Sequence, residues 1–150
     1  MSIEIRLIAV QDTYPIRKRV LWPDDPPETL HRPGDEAENT RHVGGFWAGQ
    51  LVSIATVVHD APPDTQQPTA WRLRAVATLP EFQGRGIGKR VIEHCMAYAI
   101  EQGGTLLWCN ARPDAMGFYE RLGFQVEGDL FEGLGHGPRY FMWRWLKLEL

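Results

Sequence analysis

Seven residues, Gln83-Gly84-Arg85-Gly86-Ile87-Gly88-Lys89, combine three glycines, a side-chain amide and two cations. They follow the apolar run Ala75 to Leu79 and lead into Ile87, Val91, Ile92, Cys95, Met96, Ala99 and Ile100. Spacings of three and four residues predict a helix with one buried face. Glycines where a strand gives way to a helix let the backbone approach a ligand closely, and the first helical N–H groups favour negative charge there. The segment therefore reads as a seat for phosphate, or else as a plain strand-to-helix turn. Spacing excludes two common seats. A G-x-G-x-x-G fingerprint starting at Gly84 needs glycine where the chain has Lys89. A P-loop ending at Gly88-Lys89 needs glycine and a hydroxyl residue where the chain has Gln83 and Arg90.

What does fit is Q-x-x-G-x-G, with Gln83, Gly86 and Gly88. This resembles the loop that binds the pyrophosphate of acetyl-CoA in the GNAT superfamily of N-acyltransferases. A second segment, Asn110 to Phe124, is similar to another GNAT pattern, A-x-x-F-Y-x-x-x-G-F, on Ala115, Phe118, Tyr119, Gly123 and Phe124. It also makes sense residue by residue. Thr105 to Cys109 reads as a buried strand, Pro113 can begin a helix, and Gly123 can end it in a left-handed conformation. Order and spacing of the two segments match the superfamily. The implied fold class is α/β (α+β): a mixed, mostly antiparallel sheet flanked by helices in the order β-α-β-β-β-α-β-α-β-β, forming one domain over 1–150.

The resemblance also implies roles. Main-chain N–H groups of Gln83, Gly84, Arg85, Gly86, Ile87, Gly88 and Lys89 would hold the CoA pyrophosphate. Arg85 and Lys89 would add charge there, or are ordinary solvated cations. The strand before the loop is expected to bulge and splay, so that Ala77 and Thr78 offer backbone contacts to pantetheine and an amide to the oxyanion. Asn110 is a further cofactor contact or a turn former. Tyr119 occupies the place where the superfamily commonly keeps the acid that protonates the departing thiolate. Its other reading is an aromatic packing the helix beside Phe118, itself assigned to the core.

The acceptor side is less legible. Arg72 and Arg74 share one strand face and suit an anionic group on the substrate, or else lie at an exposed sheet edge or contact neighbouring acids. His42, opening a central strand, is a candidate base or a structural residue. Trp22 and Arg19, ending the first predicted helix, are candidate walls of the acceptor cleft, together with residues 23–38 and 130–138. His59, His94 and His136 make weaker cases. Pro138-Arg139-Tyr140-Phe141-Met142 departs from relatives that carry histidine after the proline, which puts a base on the closing strand in doubt.

Composition fits one domain. The 150 residues are 43% hydrophobic with a net charge of −3, which gives no basic footprint for nucleic acid, and no apolar run is long enough to span a membrane. The start, Met1-Ser2-Ile3-Glu4-Ile5-Arg6, lacks the layout of a secretory signal. Cys95 and Cys109 read as reduced core cysteines, and no metal site is expected. The remaining expected elements are a strand over 3–9 and a helix from an Asp12 cap to Trp22, with Pro15 in its first turn. A proline-rich acidic loop over 23–38 follows, then strands over 42–48 and 50–59 joined at Gly49, a loop over 60–68 and a strand over 71–79. Strands over 125–129 and 140–148 close the chain around the loop 130–138. Trp71, Trp108, Trp143 and Trp145 are expected to pack the sheet. The expectation is a cytoplasmic enzyme that moves acetyl from acetyl-CoA to a primary amine of a small molecule or peptide by direct attack. The other readings are a non-catalytic acyl-CoA-binding module and a transferase of a longer acyl group. Homodimerisation through the closing strands is common among such domains.

Overall fold

The computed structural model describes residues 2–147; Met1 and 148–150, including the last residue of the strand expected over 140–148, lie outside the described residues. A mixed sheet of eight strands is flanked by three helices. The chain divides into two compact units, Met1–Val58 with Leu73–Tyr98, and His59–Arg72 with Ala99–Leu150. No helix among the described residues is long and apolar enough to cross a membrane.

In the first unit β1 (Ile3–Ile8), β2 (Arg41–Trp47), β3 (Gln50–His59) and β4 (Ala70–Thr78) follow one another across the sheet. β1 to β3 are antiparallel. β2 and β3 meet in a two-residue turn at Ala48 (φ 48°) and Gly49 (φ 86°). Two positive φ values match the twist of a hairpin, which takes Ala48 out of the strand where it was expected. The first helix, α1 (Val10–Ile16), is shorter than the sequence predicts and continues as one wide turn over Arg17–Leu21, closed by Trp22 N–H donating to the Arg17 carbonyl at 2.8 Å. Ala9, not Asp12, is its cap. Asp12 sits three residues in, where its carboxylate accepts from the Ala9 N–H at 3.0 Å, and Pro15 is therefore past the first turn. Residues 23–38 form a loop with one short 3-10 turn, Pro27–Thr29.

The middle of β2 carries two adjacent glycines for a packing reason. A Cβ on Gly45 would lie 2.7 Å from Ile87 Cγ2 and 2.8 Å from Val91 Cγ2, both on α2 (Ile87–Glu101); one on Gly44 would meet Leu51 and Ile8 on the other face. Gly45 thus fixes how closely the start of α2 lies on the sheet. Ile87, Val91, Ile92 and Cys95 are fully buried there, the face expected from their spacing.

In the second unit the order is β4, β5 (Leu106–Ala111), β8 (Pro138–Trp145), β6 (Gln125–Val126), with β7 (Phe131–Glu132) also on β8. β4 and β5 are parallel, and their pairing covers only Ala70↔Leu106 to Arg72↔Trp108. Ala70, Leu106 and Trp108 form a core with Phe141 and Trp143 against it. Three expectations change here. The strand expected over 125–129 is two residues long. The loop expected over 130–138 contains β7. Trp145 is exposed rather than packed. A 3-10 turn, Pro113–Ala115, leads into α3 (Met116–Arg121). Gly123 (φ 90°) ends α3, with Phe124 N–H donating to Tyr119 O and Gly123 N–H to Glu120 O, both at 3.0 Å. Those two bonds satisfy carbonyls that the helix cannot satisfy itself.

Replacing Gly45 by alanine is expected to destabilise the protein by about 1–3 kcal/mol, because Ile87 and Val91 must shift from a packed interface. Thermal unfolding checks this, with Gly117→Ala as the comparison, since a Cβ there meets only the end of the Arg121 side chain, at 3.5 Å.

Candidate functional site

In β4, Ala75 has φ 50°, a left-handed conformation for a residue with a Cβ. Such a residue disrupts strand regularity, and it lies two positions before Ala77, where the bulge was expected. Ala77 is buried and Thr78 half-buried, with Thr78 Oγ1 2.8 Å from Ser53 Oγ. A 3-10 turn at Pro80–Phe82 then opens the glycine loop. Gln83 Nε2 donates to the Thr78 carbonyl at 3.2 Å, so this side chain ties the loop back to the end of the strand. Gly84 (φ 77°) and Gly86 (φ 80°) take conformations that favour glycine, and nothing lies within 4 Å of where either Cβ would be. Ile87 is buried and anchors the first turn of α2, while Gly84, Arg85, Gly86 and Lys89 are exposed. The first helical bond runs from Arg90 N–H to the Gly86 carbonyl at 3.3 Å. The amides before it have no acceptor within the helix, and open space surrounds the Cβ positions of Gly84 and Gly86 just before them. Arg85 stands over the Trp47 ring at 4.8 Å and donates to the Glu81 carbonyl at 3.4 Å, so its charge is held beside the loop. Arg19 donates to both Glu81 carboxylate oxygens at 2.9 Å on the surface.

In the second unit Asn110 lies within β5, opposite Phe141 of β8, and not in a turn. Tyr119 is buried on α3, its ring edge-to-face with Phe118 at 5.3 Å and Phe124 at 5.5 Å. Phe118, assigned to the core by sequence, is only half-buried. Arg72 stands over Trp108 at 4.8 Å and 4.0 Å from Asp60. Burial pushes the thiols of Cys95 and Cys109 up to about 12, so neither is a nucleophile at neutral pH.

A buried polar cluster in the first unit joins two of the candidates to residues that sequence reasoning did not single out. Arg17, with a fully buried side chain, donates to Asp35 Oδ2 at 2.6 Å and Oδ1 at 3.2 Å, to the Leu30 carbonyl at 2.7 Å and to Thr56 Oγ1 at 3.0 Å. Arg74 Nη2 donates to Asp35 Oδ1 at 2.7 Å, and the Arg32 N–H donates to Asp35 Oδ2 at 2.7 Å. His42 Nε2 lies 2.9 Å from the Asp35 carbonyl, which can only accept, so Nε2 carries the proton. Nδ1 then accepts from the Thr56 hydroxyl at 2.8 Å, which leaves that oxygen's lone pairs for Arg17. Burial pushes the imidazole pKa down; the Asp35 carbonyl and charge oppose this, and Arg17 and Arg74 add to it. Burial alone would push the Asp35 carboxyl up, but hydrogen bonds from Arg17, the Arg32 amide and Arg74 outweigh it and hold it at about 2. At the edge of the cluster, Trp22 has Arg17 Cζ 5.7 Å and Arg32 Cζ 3.8 Å above its ring, and Arg32 pairs with Asp25 at 3.0 Å. One signal for Arg17 was available: it lies four residues after buried Thr13 and one after buried Ile16, on the inner face of the first helix. Nothing local marked Asp35 among the acids of the loop.

The acetyltransferase (GNAT) family profile matches residues 7–124. The chain is 35% identical over 145 residues to the uncharacterized N-acetyltransferase YitI of Bacillus subtilis, covering 97% of each. It is 32% identical over 92 residues to the peptidyl-lysine N-acetyltransferase YjaB of Salmonella typhimurium, covering 61% of this chain and 62% of that one. Among solved structures, an aminoglycoside 6'-N-acetyltransferase complexed with coenzyme A superposes with a TM-score of 0.72 at 14% identity, covering 98% and 99% of the two chains.

Both titrating groups of the cluster act in the same direction. The unfolded chain takes up a proton on His42 near its ordinary pKa of about 6.5 and on Asp35 near about 3.9, whereas the folded state resists both. Stability is therefore expected to fall as pH drops from about 6.5, and more steeply as it passes from about 4 towards 2. Melting temperature against pH checks this. The His42→Gln variant is expected to flatten the slope between pH 7 and 5 and leave the slope below pH 4.

Proposed function

The chain belongs to the GNAT acetyltransferase family, and from that membership we propose that it transfers acetyl from acetyl-CoA to a primary amine of a small molecule or peptide, using one domain over 1–150. The observation that carries the reading is the open glycine loop at the start of α2, tied by Gln83 to a strand end beyond a left-handed Ala75. In this reading the amides of Gly84, Gly86, Ile87 and Gly88 hold the pyrophosphate, with Arg85 and Lys89 supplying charge. Ala77 and Thr78 offer main-chain groups to the pantetheine arm, and Asn110 is a further contact. Gln83 acts by fixing the loop rather than by charge.

Acetyl-CoA supplies a thioester whose carbonyl the neutral amine attacks, with thiolate as leaving group. Tyr119 gives its phenolic proton to the departing sulfur as the C–S bond breaks, and the proton that the nitrogen loses on forming the amide passes to solvent, from which the phenol is restored. The ring packing against Phe118 and Phe124 fits this role, because it fixes the direction of the hydroxyl. Trp22 belongs to the acceptor side, where loops on a rigid sheet carry selectivity. His42, with both ring nitrogens engaged, and Arg74, paired with Asp35, serve this side by holding it rather than by meeting the amine.

Amine-dependent CoA release from acetyl-CoA tests the proposal, using a panel of small amines, aminoglycosides and lysine peptides. Turnover on at least one class is expected, and silence across the panel contradicts it. Tyr119→Phe is expected to lower kcat about 100-fold with the acetyl-CoA Kd little changed, and an unchanged kcat removes Tyr119 from the chemistry.

A further inference from the structure

We propose that Asp35 is a positioning residue for amine recognition: through the Arg32 backbone it sets Trp22 and Asp25 as a preformed wall on the acceptor side. The inference rests on the reading above in placing the amine along residues 23–38. Those residues contain four prolines and little that is buried; Leu30 and Asp35 are their main inward anchors. The Asp35 carboxylate grips the loop at the Arg32 N–H, 2.7 Å away. That bond fixes where the Arg32 side chain begins, and its guanidinium covers one face of Trp22 at 3.8 Å while pairing with Asp25 at 3.0 Å. Lys18 Nζ donates to the Asp25 carbonyl at 2.5 Å, so the same loop is also tied to the turn after α1. The carboxylate is itself immobile, because Arg17 holds both of its oxygens and Arg74 one of them. Position is thus passed outward from a buried ion cluster to an aromatic ring and a charged pair. Preorganisation of this kind acts on a substrate that touches the wall and leaves one that does not unaffected.

The test uses the full chain with Asp35→Asn, and Arg74→Gln as the milder variant that keeps the Arg17–Asp35 contact. Steady-state kinetics are expected to show the amine KM raised about tenfold or more in Asp35→Asn and by less in Arg74→Gln, with the acetyl-CoA KM unchanged. Trp22→Leu, which removes the ring but keeps the hydrogen bonds to Asp35, is expected to reproduce the amine effect. A lower kcat with neither KM moved indicates only a smaller folded fraction and overturns the proposal. A readout free of catalysis decides it separately. In the NMR spectrum of Arg74→Gln the Trp22 indole N–H, assigned by its loss in Trp22→Leu, and the amides of 25–32 are expected to shift or broaden, while those of Gly84, Gly86 and Gly88 stay in place. Unchanged signals at Trp22 and 25–32 overturn the positioning role. Absence of any turnover in the wild-type protein overturns the acetyl-transfer reading and leaves the NMR result to stand alone.

Discussion

The Asp35 carboxylate accepts four hydrogen bonds in a site from which water is excluded, two from Arg17, one from Arg74 and one from the Arg32 amide. Burial is the main reason the His42 pKa beside them is pushed down, with the two cations adding to it, and the Asp35 carbonyl sets its tautomer. Burying charges is costly, and such a group repays the cost only while it is complete; losing one partner costs about 3–5 kcal/mol. Against a total stability of about 5–15 kcal/mol, that makes Asp35 decisive for the first unit. It converts a proline-rich acidic stretch with almost no core of its own into a loop of fixed shape.

A different constraint governs the donor side. Helix α2 cannot satisfy its own first amides, and Gly45 of β2 lets that end of the helix lie close to the sheet. The glycines before Ile87 then keep side chains away from the amides, and Gln83 fixes the loop to the Thr78 carbonyl. In the proposed reading, the CoA pyrophosphate is the partner of these first backbone donors. Parallel pairing of β4 with β5 stops at Arg72, and Ala75 departs from extended geometry three residues later, so the end of β4 does not continue the ladder.

Much of this was legible because it is local. Glycine spacing marked the loop, helical periodicity marked the buried face of α2, and Pro113 with Gly123 bracketed α3; each signal lies within a few residues of what it specifies. The Ala115 to Phe124 pattern extended the reading to the family. The ion cluster was illegible for the opposite reason. Arg17, Asp35, Thr56 and Arg74 are separated by up to 57 positions in sequence and meet only when β2, β3 and β4 are side by side. Arg74 was read with contacts to neighbouring acids among its alternatives, and it does pair with Asp35. His42 likewise gave no local sign that both nitrogens would be engaged. β6 was expected but longer than it is, and β7 escaped notice, because strands of two residues carry no usable alternation.

Titration of the 15N-labelled protein with coenzyme A, followed at backbone amides, bears most directly on the claim that the loop at the start of α2 is the donor seat. The account predicts that Gly84, Gly86, Gly88 and Lys89 shift first and furthest, Ala77 and Thr78 shift with them, and residues 23–38 hold still. Binding that leaves the glycine amides unmoved, or no binding at all, would contradict it.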